Sequence, residues 1–274
     1  MTPEPMPSAA ELLAFYLEAG VDCALAEAPI DRLAEEAAAD LAPAAAPPRR
    51  PLGVAESVPA AAMARTDAAP APDVAILSAR EAAATAASLE DLRALLEAFE
   101  GCALKNTATR LVFADGNPQA RIMLVGEAPG RDEDIEGRPF VGRSGKLLDL
   151  MLKAIGLDRN SVYIANVIPW RPPGNRTPTP QETQICLPFI RRQIELVDPD
   201  ILVTLGNPST QALLQTREGI MKTRGRFMEY DTGSRRIKAM PTFHPAYLLR
   251  SPAFKRHAWL DLRAVRRALT ATTA

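Results

Sequence analysis

The stretch that decides the fold is ARIMLVGEAPG, residues 120–130. Its first half is a short apolar run, which is typical of a strand that is buried on both faces of a sheet. The two glycines and the proline that follow indicate a loop in which the backbone approaches another group closely. Residues 126–134 also contain four carboxylates. Their negative charge argues against a phosphate as the group that this loop holds.

Outward from this strand, strand-like runs alternate with amphipathic patterns of helical length. The predicted strands are residues 120–126, 161–168, 200–206 and 235–245. The predicted helices of this part of the chain are residues 88–99, 144–156, 179–197, 208–214 and 253–269. Strands that alternate with such helices pair in parallel and are covered on both faces. The sequence therefore predicts an α/β fold, a three-layer α/β/α sandwich with a central, mostly parallel four-stranded sheet.

Three unusual loops follow predicted strands. They are GEAPG at residues 126–130, PWRPPGNRTPTP at residues 169–180 and HPAYLLR at residues 244–250. The carboxyl ends of parallel strands meet at one edge of the sheet, and ligands of such folds bind there. We therefore expect the three loops to converge on one site.

The charge differs between the two parts of the chain. Residues 1–85 carry 13 acidic and 5 basic side chains, which leaves 20 acidic and 27 basic side chains for residues 86–274. A basic body indicates nucleic-acid contact, although a solvated surface with an arginine bias explains the charge about equally well. The Ala/Pro-rich composition of residues 1–85 predicts a largely flexible extension with one short helix, near residues 8–22. Residues 86–274 are the predicted folded domain.

Several functional classes lack their sequence signatures. The chain has no Gly-x-Gly-x-x-Gly motif, no complete phosphate-cradling loop and no Gly-x-Ser-x-Gly elbow. Its three cysteines are far apart and it has two histidines, which argues against a disulfide framework and a zinc site. It shows no secretory signal and no apolar run of about 18 residues. We therefore expect a soluble, cytoplasmic protein that does not contact a membrane.

Four motifs, in this order, resemble the family 4 uracil-DNA glycosylases of the uracil-DNA glycosylase superfamily. They are GEAPGRDEDIEGRPFVGRSGKLLD (126–149), RPPGNRTPTPQE (171–182), DPDILVTLG (198–206) and FHPAYLLR (243–250). The resemblance spans residues 99–269. It implies a monomeric enzyme that acts on uracil-containing DNA, hydrolyses the N-glycosidic bond of deoxyuridine and leaves an abasic site for base-excision repair.

The resemblance assigns three side chains to recognition of a base that has been flipped out of the helix. Phe140 matches the stacking residue, although a phenylalanine can equally pack in a core. Asn166 matches the residue that reads uracil: its amide donates to O4 and accepts from N3–H, whereas cytosine presents the reverse pattern. An asparagine at a strand end is otherwise often a turn residue. Glu133 matches a position that excludes thymine by its bulk near C5.

Two further matches concern bond cleavage, which passes through an oxocarbenium-like sugar. His244 matches the histidine that donates a hydrogen bond to uracil O2 and stabilises the leaving anion. Glu127 matches a carboxylate that positions the attacking water or stabilises the sugar cation, and the sequence leaves both roles open. Ala128 stands beside it in the substrate-binding loop, where another branch of the superfamily has an aspartate.

The resemblance also implies a DNA-binding surface. Leu248, Leu249 and Arg250 match the wedge that enters the minor groove, although the leucines could instead pack against the last helix. Arg171 and Arg176 are candidates for phosphate contacts. Each arginine could equally belong to an ordinary surface.

The cofactor is where this chain departs from the family pattern. The family's [4Fe–4S] cluster requires four cysteine thiolates. Cys102 and Cys186 match two ligand positions, but Phe99 and Trp170 occupy the other two. We expect the cluster to be absent and its space to be filled by these two aromatic side chains.

Two other functions would be compatible with such a sequence. The first is a non-catalytic paralogue that binds uracil-containing or abasic DNA without turnover. The second is a relative that traps DNA covalently, and the lack of an insertion with an additional nucleophilic histidine argues against it. A glycosylase would release uracil over repeated turnovers, whereas the non-catalytic paralogue would bind the DNA without releasing uracil.

Overall fold

The computed structural model describes residues 72–271, in which a six-stranded sheet forms the centre. The strands are β1 (Asp115–Gly116), β2 (Ile122–Gly126), β3 (Tyr163–Asn166), β4 (Ile201–Leu205), β5 (Met228–Asp231) and β6 (Arg236–Thr242). Their order in the sheet is β1-β3-β2-β4-β6-β5. The four central strands are parallel, as predicted. The antiparallel edge strands β1 and β5 were not predicted, since they are short and lack a continuous apolar pattern.

Helices cover both faces of the sheet. They are α1 (Pro72–Thr85), α2 (Leu89–Ala98), α3 (Arg131–Glu136), α4 (Arg143–Ala154), α5 (Pro180–Val197), α6 (Asn207–Leu214), α7 (Ile220–Thr223), α8 (Pro245–Arg250) and α9 (Lys255–Ala271). Single turns of 3₁₀ helix occupy Ala103–Asn106, Arg159–Ser161, Pro173–Asn175 and Pro252–Phe254. No helix within residues 72–271 is both long enough and apolar enough to span a bilayer.

The residues of β2 divide the core into two layers. Met123 and Val125 belong to the cluster that includes α1, α2 and α5. Ile122 and Leu124 belong to the cluster that includes α4 and α9. Because successive strand residues point to opposite faces, a strand covered on both sides must be apolar throughout. The predicted three-layer α/β/α sandwich is confirmed.

The strand register places the loops side by side. Gly126 at the end of β2 lies opposite Asn166 at the end of β3. Leu205 at the end of β4 lies opposite Thr242 at the end of β6, two residues before His244. The loops that follow these strands therefore leave the sheet at the same edge.

The folded domain begins earlier than predicted. Helix α1 lies within residues 1–85, which were predicted to be an extension, yet its residues Ala75, Ala79 and Ala83 are buried. Their four-residue spacing forms a stripe on one helix face that joins the core cluster containing α5. The packed core therefore includes helix α1, which lies before the predicted boundary at residue 85. The predicted helix near residues 8–22 lies outside the described residues.

We expect Ala79→Asp to lower the free energy of unfolding by about 3 kcal/mol, because it buries a carboxylate that has no partner between α1 and α5. Ser78→Asp is the matched control, since Ser78 is exposed on the same helix. Denaturant unfolding of both variants measures the difference. Equal stability of the two variants would show that α1 does not pack against the domain.

Candidate active site

A cleft of about 520 Å³ opens at the carboxyl edge of the sheet. Its walls include parts of all three loops whose convergence was predicted. The lining residues are Glu127–Gly130, Glu133, Phe140, Ser144, Asn166, Pro172, Asn175–Pro178, Pro208, His244, Ala246, Tyr247 and Arg250. The N-terminus of helix α6, which follows β4 and contains Pro208, is a fourth contributor that the sequence analysis missed. The sequence could have predicted this contribution, because Gly206 and Pro208 follow β4 just as a glycine and a proline follow β2.

Gly126 explains the close approach that the glycine-rich loop predicted. A Cβ at this position would lie 2.4 Å from Asn166 Oδ1 and 2.6 Å from Cζ of Phe140. Any side chain would therefore displace the two residues that were predicted to recognise the base. The group that comes close to this backbone is thus the protein's own recognition pair.

Phe140 forms one wall of the cleft. Its ring centroid lies 5.4 Å from that of His244, with an interplanar angle of 31°. Its backbone has φ +56°, in the left-handed region that bulky residues rarely adopt. Phe140 is only 4% exposed, so a planar base could stack only on the part of the ring that lines the cleft beside the histidine.

Asn166 carries an unsatisfied acceptor. Its side chain is buried at the base of the cleft, and its Oδ1 is the buried side-chain oxygen within residues 72–271 that accepts no hydrogen bond. Buried polar atoms of this kind are rare, because the desolvation cost remains uncompensated. An N–H group of a bound molecule would satisfy this oxygen.

His244 is fixed at the N-terminus of α8. The backbone N–H of Ala246 donates to its Nδ1 at 3.1 Å. Burial, with a smaller contribution from the positive charge of Arg250, lowers the pKa of His244 to about 4. The imidazole is therefore neutral near pH 7. Because Nδ1 is an acceptor, the single proton resides on Nε2 and makes that nitrogen a donor.

Glu127 and Ala128 begin the loop after β2, and both line the cleft. Burial raises the pKa of Glu127 above its ordinary value. A partly desolvated carboxylate is a better proton acceptor than an exposed one, and it interacts more strongly with a nearby cation. Both roles that the sequence left open are therefore chemically available to Glu127.

Glu133 has a structural task beside its place in the cleft. Its Oε2 accepts from the N–H of Gly130 at 3.0 Å, and its Oε1 accepts from Val141 and Gly142, each at 3.0 Å. The carboxylate thus ties the first loop to the segment that carries Phe140. Its predicted contact near C5 of the base stays a prediction.

The predicted wedge requires a correction. Leu248 is only 1% exposed and belongs to a cluster with Phe243 and Ala258, so it cannot enter a groove of DNA from this position. Leu249 is 37% exposed, and Arg250 is exposed beside it. Two adjacent residues of a helix point in different directions. Leu249 is thus the exposed leucine of the two, and its contact with DNA, like that of Arg250, stays a prediction.

The two predicted phosphate ligands are held by other side chains. Arg176 forms a bidentate pair with Glu182, with N–O distances of 2.9 and 2.6 Å. Arg171 donates to Asn175 Oδ1 at 2.7 Å and lies 3.9 Å from Asp134. These contacts fix both guanidinium groups on the loop that follows β3. Their binding to DNA stays a prediction.

Cys102 and Cys186 approach each other in the core, with their sulfur atoms 3.9 Å apart. Phe99 and Trp170 are also buried, and the Phe99 ring packs edge-on against Phe189 at a centroid distance of 5.1 Å. Within the described part of the chain, no three His, Cys, Asp or Glu side chains are grouped to hold a metal. Two thiols do not supply the four thiolates that a [4Fe–4S] cluster needs. The residues present do not fit the cluster.

We expect protein purified without oxygen to lack stoichiometric iron and acid-labile sulfide, because the donor set is incomplete. Iron analysis and visible spectroscopy measure this directly. About four irons per chain would contradict the expectation. A Cys102→Ala/Cys186→Ala variant provides the control, since any iron that it retains is not bound by these two thiols.

Comparisons with known proteins identify the family to which the chain belongs. A model of the Uracil DNA glycosylase superfamily matches residues 113–263. The chain is 38% identical over 182 residues to the type-4 uracil-DNA glycosylase of Archaeoglobus fulgidus, covering 65% of this chain and 92% of the relative. It is 45% identical over 151 residues to that of Thermotoga maritima, covering 55% and 77%. The chain therefore belongs to the uracil-DNA glycosylase superfamily, in its type-4 branch.

Proposed function

We infer that this protein is a monofunctional uracil-DNA glycosylase, which hydrolyses the N-glycosidic bond of deoxyuridine in DNA and releases free uracil. The structural observation that carries this inference is the unsatisfied Oδ1 of Asn166 beside the face of Phe140. The type-4 relatives bear the name of the same activity. The product is an abasic site, the substrate of the next steps of base-excision repair.

Base recognition follows from these two residues. A base within a duplex cannot reach the cleft, so it must rotate out of the stack. Phe140 then stacks on its face, and Asn166 Oδ1 accepts the N3–H of uracil. Cytosine has an unprotonated N3 at this position and would leave the buried oxygen without a partner. Such a mismatch disfavours cytosine strongly, because a buried polar group remains unpaired.

Cleavage requires that both developing charges be stabilised. The electron pair of the C1′–N1 bond leaves with the base, so negative charge grows on uracil while the sugar becomes cationic. The neutral His244 donates its Nε2–H to O2 of the departing base. Glu127, which lines the same cleft, stabilises the cation and accepts a proton from the water that attacks C1′. The hydroxyl of this water bonds to C1′ and gives the abasic sugar, and the proton taken up by Glu127 passes through solvent to the uracil anion.

DNA binding involves the loops around the cleft. We propose that Leu249 fills the space that the flipped base vacates, and that Arg171, Arg176 and Arg250 contact phosphates. Such contacts position the DNA without reading its sequence, and they weaken as the salt concentration rises. We propose a monomer as the active species, because a single chain supplies Glu127, Phe140, Asn166 and His244, the residues that the proposed chemistry uses.

The proposed enzyme works without an iron–sulfur cluster. Cys102 and Cys186 would remain thiols, and the aromatic side chains of Phe99 and Trp170 would stabilise the region by packing. The cluster positions lie in the core rather than among the residues that line the cleft. The proposed chemistry therefore does not depend on a cofactor.

We expect the protein to release uracil from a single-uracil oligonucleotide with multiple turnovers, and His244→Ala to slow release by about 10²- to 10³-fold. Affinity for DNA that contains an abasic analogue should change little, because His244 acts on the transition state. Alkaline strand cleavage and a binding titration measure the two quantities. His257→Ala is the matched control, since His257 is exposed outside the cleft.

Two outcomes would contradict this assignment. Tight binding of uracil-containing DNA by the wild-type protein without any release would favour the non-catalytic paralogue. Equal losses of uracil release and abasic-DNA affinity in His244→Ala would instead make the histidine a structural residue.

The pH dependence should separate Glu127 from His244. The ionised Glu127 is the active form, so the rate should fall as the pH falls through its raised pKa. His244 stays neutral until the pH approaches its pKa of about 4 and does not limit the rate above that range. We expect Glu127→Gln to be slow and to lack this acid limb in single-turnover rates between about pH 5 and 8. An unchanged acid limb in the variant would assign it to another group.

A further inference from the structure

The backbone of Phe140 needs support from its surroundings. A φ of +56° is unfavourable for a bulky residue, and it persists only where neighbouring contacts hold it. The conformation also aims the ring at Gly126 and His244. The contacts that hold residues 139–142 therefore decide where the stacking face lies.

Arg159 holds the carbonyl side of this segment. Its Nη1 donates to the carbonyl oxygen of Pro139 at 3.2 Å, and its Nη2 donates to that of Phe140. The planar guanidinium presents its N–H groups in a fixed fork, so one side chain can orient two consecutive carbonyls. These are the peptide groups on both sides of the φ and ψ bonds of Phe140.

Arg159 is itself held in place. Its Nη1 lies 2.5 Å from Asp115 Oδ2, and its Nε lies 2.8 Å from Asp149 Oδ1. The side chain is 22% exposed. Asp115 belongs to the edge strand β1 and Asp149 to helix α4, so two separate elements fix the guanidinium. Arg159 does not line the cleft and is therefore not placed to contact the base or the sugar.

The opposite side of the segment is held independently. Glu133 accepts from the N–H groups of Val141 and Gly142. Gly145 allows the approach of helix α4, because a Cβ there would lie 1.7 Å from the carbonyl oxygen of Phe140. With the carbonyls held by Arg159 and the amides by Glu133, residues 139–142 have little freedom to relax.

We propose that Arg159 is a positioning residue for base recognition: it fixes the strained backbone of Phe140 so that the ring meets the flipped uracil. This proposal rests on the proposed function. It assigns a specific task to an ion-pair network that could otherwise be taken for ordinary surface stabilisation. Arg159 acts through Phe140 alone, so its effect should disappear when the Phe140 ring is removed.

A double-mutant cycle tests this dependence. We expect Arg159→Met to lower kcat/KM for uracil release by about 10- to 100-fold, since small displacements of a substrate-positioning group have effects of this size. In the Phe140→Ala background, the same change should lower it less than about twofold. Affinity for DNA with an abasic analogue should stay at the wild-type level, because that ligand has no base to stack.

Arg235→Met is the matched control. Arg235 also donates to two consecutive carbonyls, those of Asp198 and Pro199, and pairs with Asp198 and Asp200. It lies outside the cleft. We expect this variant to retain the wild-type kcat/KM in both backgrounds, although it loses a similar set of bonds.

The outcomes separate the two proposals. Wild-type protein without uracil release refutes the proposed function itself. With an active wild type, full activity of Arg159→Met, equal losses in both backgrounds or a parallel loss of abasic-DNA affinity would overturn the role of Arg159. If thermal unfolding shows that Arg159→Met does not fold, Arg159→Lys gives the same comparison, because its single ammonium cannot orient both carbonyls.

Discussion

The absence of a side chain at Gly126 is the constraint on which the recognition site depends. At the end of the central strand, the space that a Cβ would occupy is taken by the amide of Asn166 and the ring of Phe140. Asn166 reaches this point through the parallel pairing of β2 and β3. Phe140 reaches it through a left-handed backbone that polar neighbours hold. The register of β2 and β3 and the strained backbone of Phe140 thus bring both side chains to the space beside Gly126, and both line the cleft.

The electrostatic character of the cleft follows from its burial. Desolvation disfavours the charged form of His244 and also that of Glu127, so the pKa values of the two groups shift in opposite directions. The shifts leave a neutral donor, His244, and a basic carboxylate, Glu127, in the same cleft. One physical cause therefore produces a neutral hydrogen-bond donor and a basic proton acceptor.

The sequence predicted the sheet well because β2, β3 and β4 are buried along their whole length and stand out as nearly continuous apolar runs, which short edge strands such as Asp115–Gly116 do not. It also predicted correctly that the three loops converge at the carboxyl edge of the sheet. Other features depend on contacts that no local pattern records. The burial of Leu248 follows from the direction in which α8 leaves His244. Arg159 contacts residues 19 and 44 positions away in the sequence, so its partners could not be inferred from spacing. The four-residue spacing of Ala75, Ala79 and Ala83 in α1 was hard to recognise, because the surrounding sequence is also rich in alanine.

The unsatisfied oxygen of Asn166 has a consequence for the resting protein. No protein donor within residues 72–271 offsets the desolvation of this buried acceptor, so an apolar residue at the same position would cost the native fold less. Selection for thermal stability alone would thus favour replacing Asn166 and would remove base discrimination with it. Base discrimination is in this sense retained at the expense of stability.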